Sequence, residues 1–151
     1  LSVTTLAPVL STLPHLDHLV FRYCNLVAQP SNVAQSFLRS PALELYWTNF
    51  TKPALDVLLE RMPNLTTVAL HANHNRCYRA NDQSLTSLCH FCPKVANLTI
   101  GLQEVGEDTI SQCITFFGPN LVRLNLRCHS PWSTLLAIAK HARHLQDLTI
   151  R

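Results

Sequence analysis

The sequence predicts an α/β fold of the solenoid kind, with a curved parallel sheet on the concave side and helices on the convex side. Three observations predict it. A proline followed two residues later by the aliphatic pattern L-x-x-L-x-L recurs along the chain. Between the copies lie apolar residues at helical period. Leucine fills 26 of the 151 positions while charged residues make up only 14%, against ~25% in an average soluble protein.

The strand units come first. They read Pro14-His15-Leu16-Asp17-His18-Leu19-Val20-Phe21, Pro63-Asn64-Leu65-Thr66-Thr67-Val68-Ala69-Leu70, Pro93-Lys94-Val95-Ala96-Asn97-Leu98-Thr99-Ile100 and Pro119-Asn120-Leu121-Val122-Arg123-Leu124-Asn125-Leu126. A last copy, Leu145-Gln146-Asp147-Leu148-Thr149-Ile150, has Arg143 where the proline would stand, and a weaker copy lies at Pro41-Ala42-Leu43-Glu44-Leu45-Tyr46-Trp47. The first aliphatic positions fall at 16, 43, 65, 95, 121 and 145, so the spacings are 27, 22, 30, 26 and 24 residues. Repeats of this length stack into solenoids. The second unit is one residue short when phased on Pro41; pairing Leu43 and Leu45 as the strand leucines makes the neighbouring spacings regular, and both phases stay open.

The helices come between. Apolar residues with helical period are Val33, Phe37 and Leu38; Leu55, Leu58 and Leu59; Leu85 and Leu88; Ile110, Ile114 and Phe117; and Leu135, Ile138 and Ala139. Start signals precede each, at Ser31, Thr51, Asp82, Asp108, and Ser130 followed by Pro131. Each run ends near the next proline, which disfavours helix at the residue before it. One strand and one helix cannot bury their apolar sides alone, whereas stacked units bury a continuous core between sheet and helices.

The segment Cys92-Pro93-Lys94-Val95-Ala96-Asn97-Leu98-Thr99-Ile100 resembles the C-P-x-L-x-x-L-x-L signature of the cysteine-containing leucine-rich repeats of F-box proteins, a ribonuclease-inhibitor-like type. Leu16 to Asn25, ending in Cys24-Asn25, resembles the same family's L-x-x-L-x-L-x-x-C-N. The departures are Asn73 in place of the post-strand cysteine, neither family residue at Leu102-Gln103, and Cys128 one position early. The resemblance implies a protein-binding scaffold that selects substrates for a ubiquitin ligase. No F-box-like segment lies within these residues, so a Skp-type adaptor protein is an expected partner only if an F-box lies upstream. The alternatives are a non-F-box regulator or receptor-type binding module and, more remotely, a zinc-stabilised or thiol-dependent enzyme.

The chemistry-bearing residues favour the scaffold. His71-x-x-His74-x-x-Cys77 followed by Cys89-His90-Phe91-Cys92 carries ligand types that zinc accepts. Cys92, however, holds the repeat's buried place and His71 lies on the exposed strand face, so no metal site is expected. The six cysteines follow the repeat and read as reduced, buried thiols. No catalytic signature surrounds any of them, and three isolated glycines make no phosphate cradle. Glu107 and Asp108 precede a helix and read as favouring its positive end. The N-x-T sequons at Asn49, Asn64 and Asn97 read as chance, two of them inside strands. No enzyme activity and no cofactor are therefore expected.

The informative surface is the concave column after the last strand aliphatic: Arg22, then Tyr46 or Thr48 according to phase, His71, Gly101, Arg127 and Arg151. Arg123 lies four residues before Arg127 on the same face. Arginine beside Tyr23, Tyr46 and Trp47 makes a surface suited to anchoring a protein partner, one bearing an acidic patch. The long third unit adds a loop at residues 72–83, whose Arg76 and Tyr78 join the candidate contacts. A net charge of +3 without charge runs gives no basis for nucleic-acid or membrane binding. No apolar run approaches the ~18 residues that cross a bilayer, so a cytoplasmic or nuclear protein is expected. The organisation is a single domain, 1–151, of about six repeats, expected to be a piece of a longer chain because it lacks an initial methionine and ends within a strand unit.

Overall fold

Apolar and polar residues that alternate along a strand give it one flank to bury and one to leave in solvent. The computed structural model describes residues 1–28, 37–71, 82–101, 105–127 and 132–151. Its elements run α1 (Val3–Ser11), β1 (His18–Arg22), β2 (Asn25–Leu26), β3 (Ala42–Tyr46), β4 (Asn49–Phe50), α2 (Lys52–Glu60), β5 (Thr67–His71), α3 (Asp82–Phe91), β6 (Asn97–Gly101), α4 (Glu107–Phe117), β7 (Arg123–Leu126), α5 (Trp132–His141) and β8 (Asp147–Ile150). Six strands form one sheet in chain order, β1-β3-β5-β6-β7-β8, and every neighbouring pair is parallel. Parallel neighbours require a crossover. The helices α2 to α5 supply it ahead of β5, β6, β7 and β8, and each packs on the next.

The register explains the spacing of the leucines. Leu19, Leu43, Val68, Leu98, Leu124 and Leu148 align as one row across the sheet, and Phe21, Leu45, Leu70, Ile100, Leu126 and Ile150 as a second. Both rows are buried from β1 to β7. At the β8 edge no further strand among the described residues covers them, and Leu148 and Ile150 are 45% and 41% exposed. A third row, Leu65, Val95 and Leu121, is fully buried just before its strands. In the second unit this place falls to Ser40, buried with its hydroxyl donating to the Ala42 carbonyl at 2.9 Å. The open phase is thus resolved: Leu43 and Leu45 are the paired strand leucines, and Pro41 is one step past the first aliphatic position.

A ladder of carbonyls precedes the sheet. The carbonyl of Pro41 accepts the N–H groups of Thr66 and Thr67, that of Thr66 those of Ala96 and Asn97, that of Ala96 those of Val122 and Arg123, and that of Val122 those of Gln146 and Asp147. Pro41 accepts in this ladder but has no N–H to donate to the unit before it.

The helix starts follow local chemistry, with corrections. Thr51 caps α2 as expected, its hydroxyl accepting from the Ala54 N–H at 3.4 Å, and Asp82 opens α3. Asp108 does not cap α4: the N-cap is Gly106, and Glu107 and Asp108 lie in the first turn, where the helix dipole favours acids. The Gly106 N–H is held by Asp82 Oδ1 at 2.8 Å, which ties the two helix starts together. Ser31, Val33, Ser130 and Pro131 lie outside the described residues. Phe37 and Leu38, expected in a helix, are not helical; Phe37 is exposed, and Leu38 is buried with its N–H on the Arg61 carbonyl. The unexpected α1 buries Val3 and Ala7, carries Pro8 in its interior, and packs on α2. Among the described residues, no helix is long and apolar enough to cross a membrane.

Gly118 permits the closest approach in the helix layer. A Cβ there would lie 2.7 Å from the carbonyl oxygens of both Ile114 and His141, so a side chain would push α4 away from the end of α5.

Burial at the sheet's centre and at its edge differs enough to measure. Leu98→Ala, at a site 1% exposed, is expected to cost about 2–5 kcal/mol. Leu148→Ala at the open edge should cost under about 1 kcal/mol. Urea unfolding of both variants measures the contrast, and equal losses would contradict the packing described here.

Candidate interaction surface

Neighbouring strands run about 4.8 Å apart, close to the separation at which planar side chains stack. Side chains at one phase of successive strands can therefore lie face to face, and at the C-terminal ends of β1, β3 and β5 they do. Arg22, Tyr46, His71 and Gly101 are in register. The Arg22 guanidinium carbon sits 5.1 Å from the Tyr46 ring centroid. Tyr46 and His71 stack at 4.3 Å with planes 11° apart. On the other side of His71, a Cβ at residue 101 would lie 2.6 Å from its Nδ1, so glycine provides the room in which the imidazole lies.

A second stack lies one residue further along. Tyr23 and Trp47 stack at 5.0 Å with planes 15° apart, and Trp47 tilts against Tyr46 at 6.1 Å. Both residues have left-handed backbones, φ 53° and 46°, a conformation that costs a side-chain-bearing residue about 1–3 kcal/mol. The chain sustains it through the ladder: the Tyr23 N–H donates to the Tyr46 carbonyl and the Trp47 N–H to the His71 carbonyl, both at 3.1 Å. Beyond the turn, Thr48 donates to the Phe21 carbonyl at 3.0 Å, and Asn49 Nδ2 donates to Asn25 Oδ1 at 2.9 Å. The turn thus leads into the small parallel sheet of β2 and β4. Tyr23 remains 74% exposed and Trp47 38% exposed.

Charges are distributed unevenly. Glu44, on the same face as Tyr46, meets His18 with Nε2 to Oε1 at 2.9 Å and lies near enough to Tyr46 to act on its hydroxyl. Burial and then Glu44 raise the Tyr46 pKa, against the opposing pull of Arg22 and Arg127. His71 is held below the ordinary histidine range, first by burial and then by Arg127, with Glu44 opposing. Arg123 pairs with Asp147 at 2.9 Å across β7 and β8. A shallow groove of about 370 Å³ runs over the sheet face between these groups, lined by Glu44, Tyr46, Thr67, Asn97, Arg123 and Asp147 among others.

Of the residues expected to face a partner, Arg22, Tyr46 and His71 form one stacked group, with Arg127 near enough to act on both rings. Arg123 stands apart in its own ion pair. Arg76 and Tyr78 lie outside the described residues, as do His74 and Cys77 of the zinc spacing. Cys89 lies on α3 and shares a small cavity with Cys113, while His71 stacks on Tyr46. Sequence reasoning missed Glu44 because the second unit's phase was open. Once Leu43 and Leu45 are fixed as inward, Glu44 must point outward. The same 24-residue offset that aligns Arg22 with Tyr46 aligns Tyr23 with Trp47.

No protein-family model matches the chain, and no curated protein matches it either.

Two measurements check the cluster. Proton titration of His71 by NMR should give a pKa below about 6.5, and Arg127→Ala should raise it. A depressed histidine pKa means that the unfolded chain binds a proton the folded chain refuses. Stability from this group is therefore complete above about 6.5 and falls as pH drops toward the folded value. Gly101→Ala should swing the imidazole off Tyr46, with loss of its ring-current shift and about 1 kcal/mol of stability; an unchanged His71 spectrum would refute the stack.

Proposed function

We propose that the chain is a leucine-rich-repeat solenoid and works as a protein-recognition scaffold, not an enzyme, with the exposed face of its sheet as the binding surface. The repeat spacing and the chain-order parallel sheet support the architecture. One observation carries the functional reading: five side chains of the kinds that dominate binding hot spots or flank them, Arg22, Tyr23, Tyr46, Trp47 and His71, are already stacked on strand ends while still reaching solvent. Such pre-ordered aromatic and arginine side chains lose little entropy on binding. The partner presents an acidic group to Arg22 and Arg127 and an apolar or aromatic edge to Tyr23 and Trp47. Glu44 and Asp147 counter the basic residues elsewhere on the face, so the acidic contact is local and not face-wide.

By the resemblance of Cys92 to Ile100 and Leu16 to Asn25, the proposal extends to substrate selection for an F-box-type ubiquitin ligase, with a non-F-box binding module as the alternative. A Skp-type adaptor bound by the longer protein, and not by residues 1–151 alone, supports the first; its failure to bind the longer protein favours the second.

The surface itself is tested by capture from cell extract with three baits. Proteins held by the unaltered chain should be lost by at least about tenfold with Arg22→Ala/Trp47→Ala, equivalent to about 1.4 kcal/mol. They should be retained with Gln112→Ala on the helix layer. Loss with the helix variant alone would move the binding surface to the other side of the molecule.

A further inference from the structure

The helix layer holds a pair of thiols that the recognition surface does not use. Cys89 on α3 is partly exposed, Cys113 on α4 is buried, and both are free. The two helices pack directly on each other, and the two thiols are close enough across the seam to shift each other's titration. Both line a cavity of about 210 Å³ whose other walls are Leu85, Thr86, Gln112 and Phe116 among others. That space is smaller than the ~300 Å³ at which drug-sized ligand pockets begin, so it suits a small reagent.

We infer that Cys89 and Cys113 are a peroxide-reactive dithiol: Cys89 is the attacking sulfur, Cys113 resolves it, and the substrate class is hydrogen peroxide or a small hydroperoxide. In the first step the Cys89 thiolate attacks one peroxide oxygen. An S–O bond forms, the O–O bond breaks, and the departing hydroxide takes a proton to become water. In the second step the Cys113 sulfur attacks the Cys89 sulfur, the S–O bond breaks, and the hydroxyl leaves as water with the Cys113 proton. The dithiol loses two electrons, and hydrogen peroxide becomes two waters.

The roles follow from position and chemistry. A sensor thiol needs thiolate character, access and a nearby resolving thiol. The neighbouring Cys113 thiol holds the Cys89 thiol below the ordinary range, against the opposing effect of burial, while Cys89 and burial push Cys113 up. Cys92 provides an internal contrast on the same polypeptide. It is fully buried with its sulfur against the Leu59 and Met62 carbonyls at 3.7 and 3.6 Å, and burial raises its pKa to about 12. Closure of the pair brings the two sulfurs to an S–S bond of about 2.05 Å.

The experiment is peroxide treatment of the chain followed by peptide mapping under non-reducing conditions, with dimedone present to trap sulfenic acid. The unaltered chain should yield a Cys89–Cys113 cross-linked peptide with the loss of two hydrogens, while Cys92 stays reduced. Cys113→Ala should accumulate the dimedone adduct on Cys89, and Cys89→Ser should leave Cys113 reduced. The mapping of the unaltered chain decides the matter alone should a variant fail to fold. A Cys89 bridge to any other cysteine, oxidation of Cys113 in Cys89→Ser, or a chain in which Cys92 reacts as fast as Cys89 would each overturn the inference.

Discussion

No strand and helix of this chain can bury their own apolar flanks, and everything else in the structure answers to that constraint. Each unit must present its leucines at the same phase as its neighbour, or the two aliphatic rows running from Leu19 to Leu124 and from Phe21 to Leu126 would break. The parallel register that results forces the alternate residues outward. Polar and aromatic side chains therefore line up across the sheet without any interaction of their own having to specify it. Stacking at the strand ends is a by-product of core packing, and the energy that holds the rings in line is largely spent elsewhere in the molecule.

This accounts for the character of the stacked strand-end cluster, the surface proposed above for recognition. Tyr46 and His71 lie between two arginines, and the imidazole is kept neutral by burial and by Arg127. The stack is therefore not a run of like charges but two cations flanking uncharged planes, with the Glu44 carboxylate acting on the Tyr46 hydroxyl. In the proposed role, such a site would discriminate by geometry as well as by sign. Bulk charge played little part in forming it, in keeping with a chain whose net charge is only +3.

Much of this was legible in the sequence because side-chain phase is a property of spacing. Leu65, Val68 and Leu70 announce an inward row by their intervals alone, and the same intervals place Arg22 and His71 on the outer face. What was not legible has physical causes. Ser40 occupies an aliphatic position by satisfying its hydroxyl locally on Ala42, which hides the second unit's phase and with it Glu44. Helix α1 contains a proline and begins at Ser2, whose side chain makes no cap bond, so neither start nor interior announces it. The left-handed turns at Tyr23 and Trp47 occupy bulky aromatic residues where glycine or asparagine is usual. The contact between Cys89 and Cys113 depends on how adjacent helices rotate against each other, which repeat spacing does not encode.

Pro41 gives the assembly a grain. Across the later seams the ladder residue donates as well as accepts, but at the seam between β1 and β3 its donor is missing. That joint is fastened instead from beyond the strands, where the Tyr23 N–H reaches the Tyr46 carbonyl and the Thr48 hydroxyl reaches the Phe21 carbonyl. Tyr23 and Trp47 meet across the same joint, so a guest seated on their paired rings would also act as a clasp between the first strand and the rest.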